Sequence, residues 1–374
     1  MKILIAPNSF KEVADCDRAA ELFKKYLSIN SSLTLATLPI SDGGDGFLCS
    51  CRSAFNLEIL KYEITTAYDE SKFDCEVGYD RAGKRIYIES ARVLGLKVIP
   101  REKRSILQLS SKGIGDLFIK LIDDIKQNRL SVEEVIIGIG GTGTNDLGLG
   151  VCSRFGIKFY DLFGQEDEII PEFYYRLRDI GWESPKLPFR VEVIVDVDNP
   201  LLGPKGAARI FGPQKGADKG EVEVMELGFK KIVNILKDKG LERSFDKMSG
   251  AGGGLAAGLH LFFNAYEIKA NEFIRKQLNL EEEIQKIDVV VTGEGKFDEQ
   301  TFSGKGAGVV LNLALEHGKK VFLCCGLADE KARVKLGDKV HIIQLISFFR
   351  DKEESIKNFE KGIEFASREI ISML

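Results

Sequence analysis

The stretch DVVVTGEG (288–295) sets the reading of the fold: an apolar run of strand length that stops in a polar, glycine-rich turn. The same grammar recurs in KVFLCCG (320–326) and HIIQLIS (341–347), and a helical pattern from about 305 to 317 separates the first two runs. A last helix is expected where Ile356, Phe359, Ile363, Ala366 and Ile370 fall on one face. At the other end of the chain, MKILIAPNSF (1–10) holds a strand over 2–6. From Asp15, a good N-cap, Cys16, Ala19, Ala20, Phe23, Tyr26 and Leu27 recur at the spacing of one buried helix face. A second strand over 33–39 leads into SDGGDG (41–46) and a helix reaching about residue 55. Two strands at the start and three at the end make five, enough for a doubly wound parallel sheet of the flavodoxin-like kind.

The middle of the chain has a different character. Residues 60–90 read as antiparallel strands, with turn signals at 68–69 and 81–83. An amphipathic helix follows, with Ile114, Leu117, Phe118, Leu121, Ile122 and Ile125 on one face. Strands EVIIGIG (134–140) and VEVIVDV (191–197) each run into a polar glycine loop, and a charged helix over 219–240 precedes SGAGGGLAAG (249–258) and a helix over 265–286. We therefore expect two α/β domains: a discontinuous flavodoxin-like domain, 1–56 plus 286–374, and an inserted α/β domain, 57–285, with a mixed sheet. Two domains simply in series remain the competing arrangement.

Composition narrows the function. The 374 residues include 53 basic and 57 acidic side chains, 44% hydrophobic residues and 38 glycines, the profile of a soluble globular protein. A net charge of -4 offers no basic field for nucleic acid. The longest apolar runs are strand-length, far short of a membrane span. The N-terminus reads as a first strand, not a signal peptide, so a cytoplasmic location is expected. Seven cysteines with no CxxC pair suggest reduced thiols, and the three scattered histidines, His260, His317 and His341, form no metal-ligand pattern.

The chemistry concentrates in five loops: SDGGDG (41–46), GGTGTND (140–146), DVDNPLLGPKG (196–206), GAGGGLAAG (250–258) and TGEGKFDEQT (292–301). Successive glycines expose backbone N–H groups that wrap an anion. Asp42, Asp45, Asp146, Asp196, Asp198, Glu294 and Asp298 supply the carboxylates that phosphoryl transfer needs for magnesium and for a hydroxyl proton. Lys11, Lys205, Lys215, Lys296 and Lys305 supply positive charge. Gly138-x-Gly140-x-x-Gly143, with Asp161 downstream, is formally a dinucleotide fingerprint, yet Thr144, Asn145 and Asp146 follow it where a helix should open. There is no GxxxxGK[ST] phosphate loop, no GxSxG elbow at Ser9 or Ser303, and Cys324-Cys325 end an apolar strand.

IAPNSFKE (5–12), LPISDGGDGF (38–47), IGIGGTGTNDLGLG (137–150), DVDNPLLGPKGAARIFGPQKGA (196–217), GAGGGLAAGL (250–259) and VVTGEGKFDEQTFSGK (290–305) together resemble the bacterial glycerate kinases of type 1, in order and over nearly the whole chain. The resemblance implies ATP-dependent, magnesium-assisted phosphorylation of D-glycerate in a two-domain α/β protein whose cleft lies between the domains, with 2-phosphoglycerate favoured over the 3-phosphate. The sequence departs from the family pattern at several points. Asn8 stands for Asp, Asp45 for Glu, Phe47 for Thr and Lys296 for Arg, with Phe297 beside it. GGSATNDGG carries Gly143 and Leu147, and HGKAP becomes SGKGA at 303–307. Asn for Asp removes an acceptor charge, and Lys for Arg replaces a bidentate fork with a point charge.

The expected roles are these. Asp42 is the base, with Lys11 and Lys305 as catalytic cations; Ser9, Gly43, Gly44 and Lys296 bind substrate. Gly140, Gly141, Thr144, Asn145, Gly252 and Gly253 cradle ATP, and Glu294, Asp298 and Asp196 hold Mg²⁺. D-glycerate and ATP are the expected partners, with a homodimer admissible and neither nucleic acid nor membrane involved. Two alternatives stand beside this reading: an NAD-dependent oxidoreductase of small hydroxy acids, and a non-catalytic relative that binds glycerate or ATP.

Overall fold

Strands buried on both faces need apolar side chains at nearly every position, and the runs KILI, VVVTG and VFLCC meet that need. The computed structural model describes the chain apart from residues 11–12, 241–248, 303–305, 330–331, 333–335 and 337–339. It divides into two units, Met1–Asn56 with Lys269–Leu374, and Leu57–Ile268.

In the first unit, five parallel strands lie in the order Val340–Gln344, Lys320–Ala328, Val289–Phe297, Lys2–Ile5, Thr34–Thr37. Numbered along this unit, that is 2-1-3-4-5, the flavodoxin-like order. Helices Cys16–Leu27 and Phe359–Met373 cover one face, where Phe23, Leu27, Ile363 and Ile370 pack with Ile3, Ile5, Val289, Val291 and Phe322. The alternate strand residues Leu4, Val290, Val321 and Leu323 are buried toward the other face, against which helix Ala307–Glu316 lies. Asp15 caps the first helix as expected, its Oδ1 accepting from Arg18 N at 2.9 Å.

The second unit is built on a mixed sheet in the order Tyr266–Lys269, Arg190–Val195, Glu134–Gly138, Arg85–Glu89, Lys72–Asp80, Glu58–Thr65. The last three pair antiparallel, whereas Arg85–Glu89, Glu134–Gly138 and Arg190–Val195 run parallel. Helix Lys112–Lys126 buries Ile114, Leu117, Phe118 and Leu121, with Ile122 and Ile125 partly covered. Helix Lys219–Asp238 opens with a capping box between Asp218 and Glu221. A small antiparallel sheet joins Lys158–Tyr160, Glu166–Asp167 and Asp179–Gly181. Among the described residues no helix is long and apolar enough to cross a membrane.

Three elements differ from expectation. TGEGKF, expected as loop, continues strand Val289–Phe297 in register with Leu327 and Ala328. Its glycines allow the close approach: a Cβ on Gly293 would lie 2.1 Å from Cys324 O, and one on Gly326 would lie 2.5 Å from Gly295 O. Residues 265–286 are not one helix. They open with strand Tyr266–Lys269, turn helical at Ala270, and restart at Leu280 after Asn279 takes a left-handed φ of 55°. The C-terminal helix is interrupted at Asn358, which leaves Ile356 41% exposed.

The helical return over Ala270–Gln285 goes with the first unit because fully buried Phe273 packs its ring 5.3 Å from that of Phe47. Phe273→Ala is expected to cost ~3–5 kcal/mol, read as a fall in the urea midpoint at unchanged slope. A shift below about 1 kcal/mol would remove this ring from the core of the unit.

Candidate active site

In an open parallel sheet the crevice beyond the carboxyl ends of the strands opens where the strand order reverses. In the first unit that point lies between Lys2–Ile5 and Val289–Phe297. Thr292 Oγ1 donates to Ala6 O at 2.7 Å and Asn8 N donates to Gly293 O at 2.8 Å, so the two strand ends are tied. Asn8 is buried, its Oδ1 accepting from Ser9 N at 2.7 Å. Its Nδ2 faces Gly306, where an added Cβ would come within 1.8 Å and where φ is +43°. Gly306 caps helix Ala307–Glu316, so the positive end of that helix opens beside Asn8.

Ile40 N donates to Pro7 O at 2.9 Å, which carries the 41–46 loop to the same strand end. Ser41 is fully buried, its hydroxyl donating to Gly44 O at 3.4 Å and Asp45 O at 3.3 Å. Gly43 and Gly46 turn the loop at φ 93° and 85°, leaving Asp42 half-buried at the turn. Glu294 Oε1 accepts from Thr301 Oγ1 at 2.6 Å, and that hydroxyl accepts from Asp298 N at 3.2 Å. Lys296, largely exposed, pairs with Asp298 at 3.1 Å.

The second unit assembles a double loop at the carboxyl ends of its parallel strands. Asp146 is fully buried. Its Oδ2 accepts from Ser111 N and Ser111 Oγ at 2.7 Å and from Gly150 N at 3.1 Å, and its Oδ1 accepts from Gly148 N at 3.1 Å. Burial pushes this carboxyl up, against the pull of those donors. Leu147 N donates to Gly253 O at 3.2 Å. A Cβ on Gly253, where φ is +71°, would lie 2.3 Å from Thr144 O and 2.4 Å from Asn145 Oδ1. The third loop joins through Gly250 N, which donates to Asn199 O at 2.7 Å. Leu147 adopts φ 55°, which explains a glycine at this place in the family pattern. The strain of ~1–2 kcal/mol is offset by burying the leucine, worth ~1.5–3 kcal/mol.

The structure thus gathers Gly140, Gly141, Thr144, Asn145, Gly252 and Gly253 into one feature of the second unit, and Ser9, Asp42, Gly43, Gly44, Glu294, Lys296 and Asp298 at the strand ends and loops of the first. Asp196 is half-buried at the end of Arg190–Val195, in the second unit. Lys11 and Lys305 lie outside the described residues. Among the described residues no three acidic, histidine or cysteine side chains gather to hold a metal ion. Asp161 is engaged elsewhere: its Oδ1 caps a hairpin turn, accepting from Phe163 N at 2.8 Å and Gln165 N at 2.9 Å. No helix opens at Gly143, so the dinucleotide reading loses both its supports.

Sequence reasoning left Ser90, Ser111 and Thr301 without roles and named Lys215 only among the lysines that supply positive charge. Ser90 Oγ donates to Gly138 O at 2.6 Å and fixes the start of the double loop. Lys215 Nζ donates to Thr144 O at 2.6 Å and Thr142 Oγ1 at 3.3 Å, and burial lowers its pKa to about 7. The signal for Lys215 is its place in FGPQKGA, but spacing alone does not separate an enclosed ammonium from a solvated one.

Asp146→Asn keeps the shape but turns one acceptor into a donor facing a buried N–H. Each orphaned donor costs ~1–3 kcal/mol, so the thermal midpoint is expected to fall, and an unchanged midpoint would contradict the anchoring role.

The Glycerate kinase family model matches residues 3–374. The chain is 32% identical to the glycerate 2-kinase of Escherichia coli K12, covering 100% of this chain and 98% of that one. It is 34% identical to the glycerate kinase of Bacillus subtilis 168 over 82% of this chain and 79% of that one. A crystal structure assigned to glycerate kinase 2 of Salmonella typhimurium LT2 superposes with a TM-score of 0.77 at 27% identity, covering 100% of this chain and 98% of that chain. The chain belongs to the glycerate kinase family and is by that membership an enzyme, a kinase.

Proposed function

We propose that this enzyme transfers the γ-phosphoryl group of ATP to a hydroxyl of D-glycerate, giving 2-phosphoglycerate. The observation that carries the reading is the family match over residues 3–374, and full-length identity to a protein named for the 2-position favours that product. The acceptor is held at the strand ends of the first unit, with Ser9 and the Gly43-Gly44 backbone donating to it and Lys296 countering its carboxylate. Asp42 takes the proton from the attacking hydroxyl as the oxygen–phosphorus bond forms and the bond to ADP breaks. Lys11 and Lys305 neutralise the transferring phosphoryl, and the loops 140–145 and 252–253 hold ATP through backbone N–H groups.

The residues present fit a magnesium ion. Mg²⁺ takes one or two carboxylates and completes its shell with water and phosphate oxygens. Glu294 and Asp298, joined through Thr301, supply two carboxylates on one strand end. When bound, the ion supplies charge neutralisation for the phosphates. The Lys296–Asp298 pair has Lys296 61% exposed on a flexible stem, so it yields Asp298 at little cost.

With D-glycerate and ATP, ³¹P NMR of the product is expected to show the 2-phosphate; the 3-phosphate would reassign the attacking hydroxyl. Asp42→Asn is expected to lower kcat ~10²–10⁴-fold with KM for ATP little changed. Turnover within a few-fold of wild type would move the base elsewhere.

A further inference from the structure

Lys215 closes a short 3-10 turn, Pro213–Lys215, and its part-buried ammonium donates into the double loop of the second unit. Two of its three donors are used, on Thr144 O and Thr142 Oγ1. The nearest charge acting on it is Asp146, whose oxygens already accept from four donors. Lys215 is therefore not needed to satisfy that carboxylate. Beside it, Thr144 Oγ1 and Asn145 Oδ1 are buried and have no hydrogen-bond partner among the described residues. Gly252 and Gly253, at φ 65° and 71°, let the two loops pack this closely: a Cβ on Gly252 would lie 2.6 Å from Ile139 Cγ2, and one on Gly253 2.4 Å from Asn145 Oδ1.

Lys215 keeps a donor to spare, and the unpartnered Thr144 hydroxyl and Asn145 amide oxygen each destabilise the fold, with no partner for either among the described residues. A ligand carrying oxyanion acceptors and a hydroxyl donor satisfies all three at once. We propose that Lys215 and Thr144 bind an oxyanion of the reaction in this double loop, with Asn145 Oδ1 accepting from a hydroxyl of the same ligand. The inference rests on the kinase reading above only for the identity of that ligand: the phosphates of ATP, or the carboxylate of D-glycerate. Both carry oxyanion and hydroxyl together. The lowered pKa of Lys215, about 7, adds a consequence. At pH 8 the free side chain is largely the neutral amine, whose two hydrogens are spent on Thr144 and Thr142; a bound anion restores the ammonium and with it the third donor, so binding takes up a proton.

The test is calorimetric titration of the full-length wild type, Lys215→Met and Thr144→Val with ATP, D-glycerate and pyrophosphate at pH 8, in two buffers of different ionisation enthalpy. Lys215→Met is expected to weaken the bound ligand ~10–100-fold and to abolish proton uptake. Thr144→Val is expected to weaken it ~2–10-fold while leaving the thermal midpoint equal to or above wild type, since it removes an unpartnered buried hydroxyl. A merely structural role would move stability without affinity. Loss confined to ATP assigns the phosphates; loss confined to D-glycerate supports the oxyanion role and removes ATP from these loops. Unchanged affinities in both folded variants overturn the inference while the kinase reading stands. A wild type that binds only pyrophosphate, with that binding lost in Lys215→Met, supports the inference while the kinase reading falls. No binding of any of the three overturns both.

Discussion

A carboxylate cut off from water must be met by donors, and Asp146 is met by four: the Ser111 amide and hydroxyl and the amides of Gly148 and Gly150. These bonds fix a turn that strand propensity cannot fix. Once it is fixed, Leu147 is held in its left-handed conformation, its amide reaches Gly253 O, and the two glycine segments lock face to face. Thr142, Thr144 and Asn145 are thereby buried in a segment whose composition reads as solvent-facing loop. Tyr174 OH adds a bond to Asp146 O at 3.1 Å, tying the turn to the 3-10 segment Pro171–Arg176. The double loop is a rigid wall because one buried charge organises it.

The fold was legible where burial is two-sided. KILI, VVVTG and VFLCC carry apolar side chains on both faces, and the helices between them show one covered face, so a five-stranded, flavodoxin-like doubly wound sheet is the expectation, and the strands lie in the order 2-1-3-4-5. It was illegible where glycine or asparagine has two meanings. In TGEGKF the glycines mark close strand approach and not a turn, which shows only when Cys324 O and Gly295 O are in place. Asn264, Asn279 and Asn358 break the helical pattern by backbone conformation, which residue periodicity does not encode.

The candidate site was legible in its loops and less so in its chemistry. Motif resemblance picked out Asp42, Glu294, Asp298 and the glycines, and the reversal of strand order accounts for the first unit's share. The departures from the family pattern acquire local reasons. Asn8 spends its oxygen on Ser9 N while its amide nitrogen packs against Gly306, and Lys296 reaches Asp298 as an exposed contact where an arginine would fork. Lys215 was legible only as one of five loop lysines because its character depends on what surrounds it, and Asp161 left a second reading open because an Asx turn and a ribose ligand look alike in one dimension.

Acceptor-dependent nucleotide turnover decides whether this enzyme phosphorylates glycerate. Coupled ADP release by the purified enzyme with ATP and Mg²⁺ is to be measured with D-glycerate, with L-glycerate and with no acceptor. Release that requires D-glycerate is the predicted result. Folded protein that releases no ADP with D-glycerate, or releases it equally without an acceptor, would contradict the assignment of a glycerate kinase to this chain.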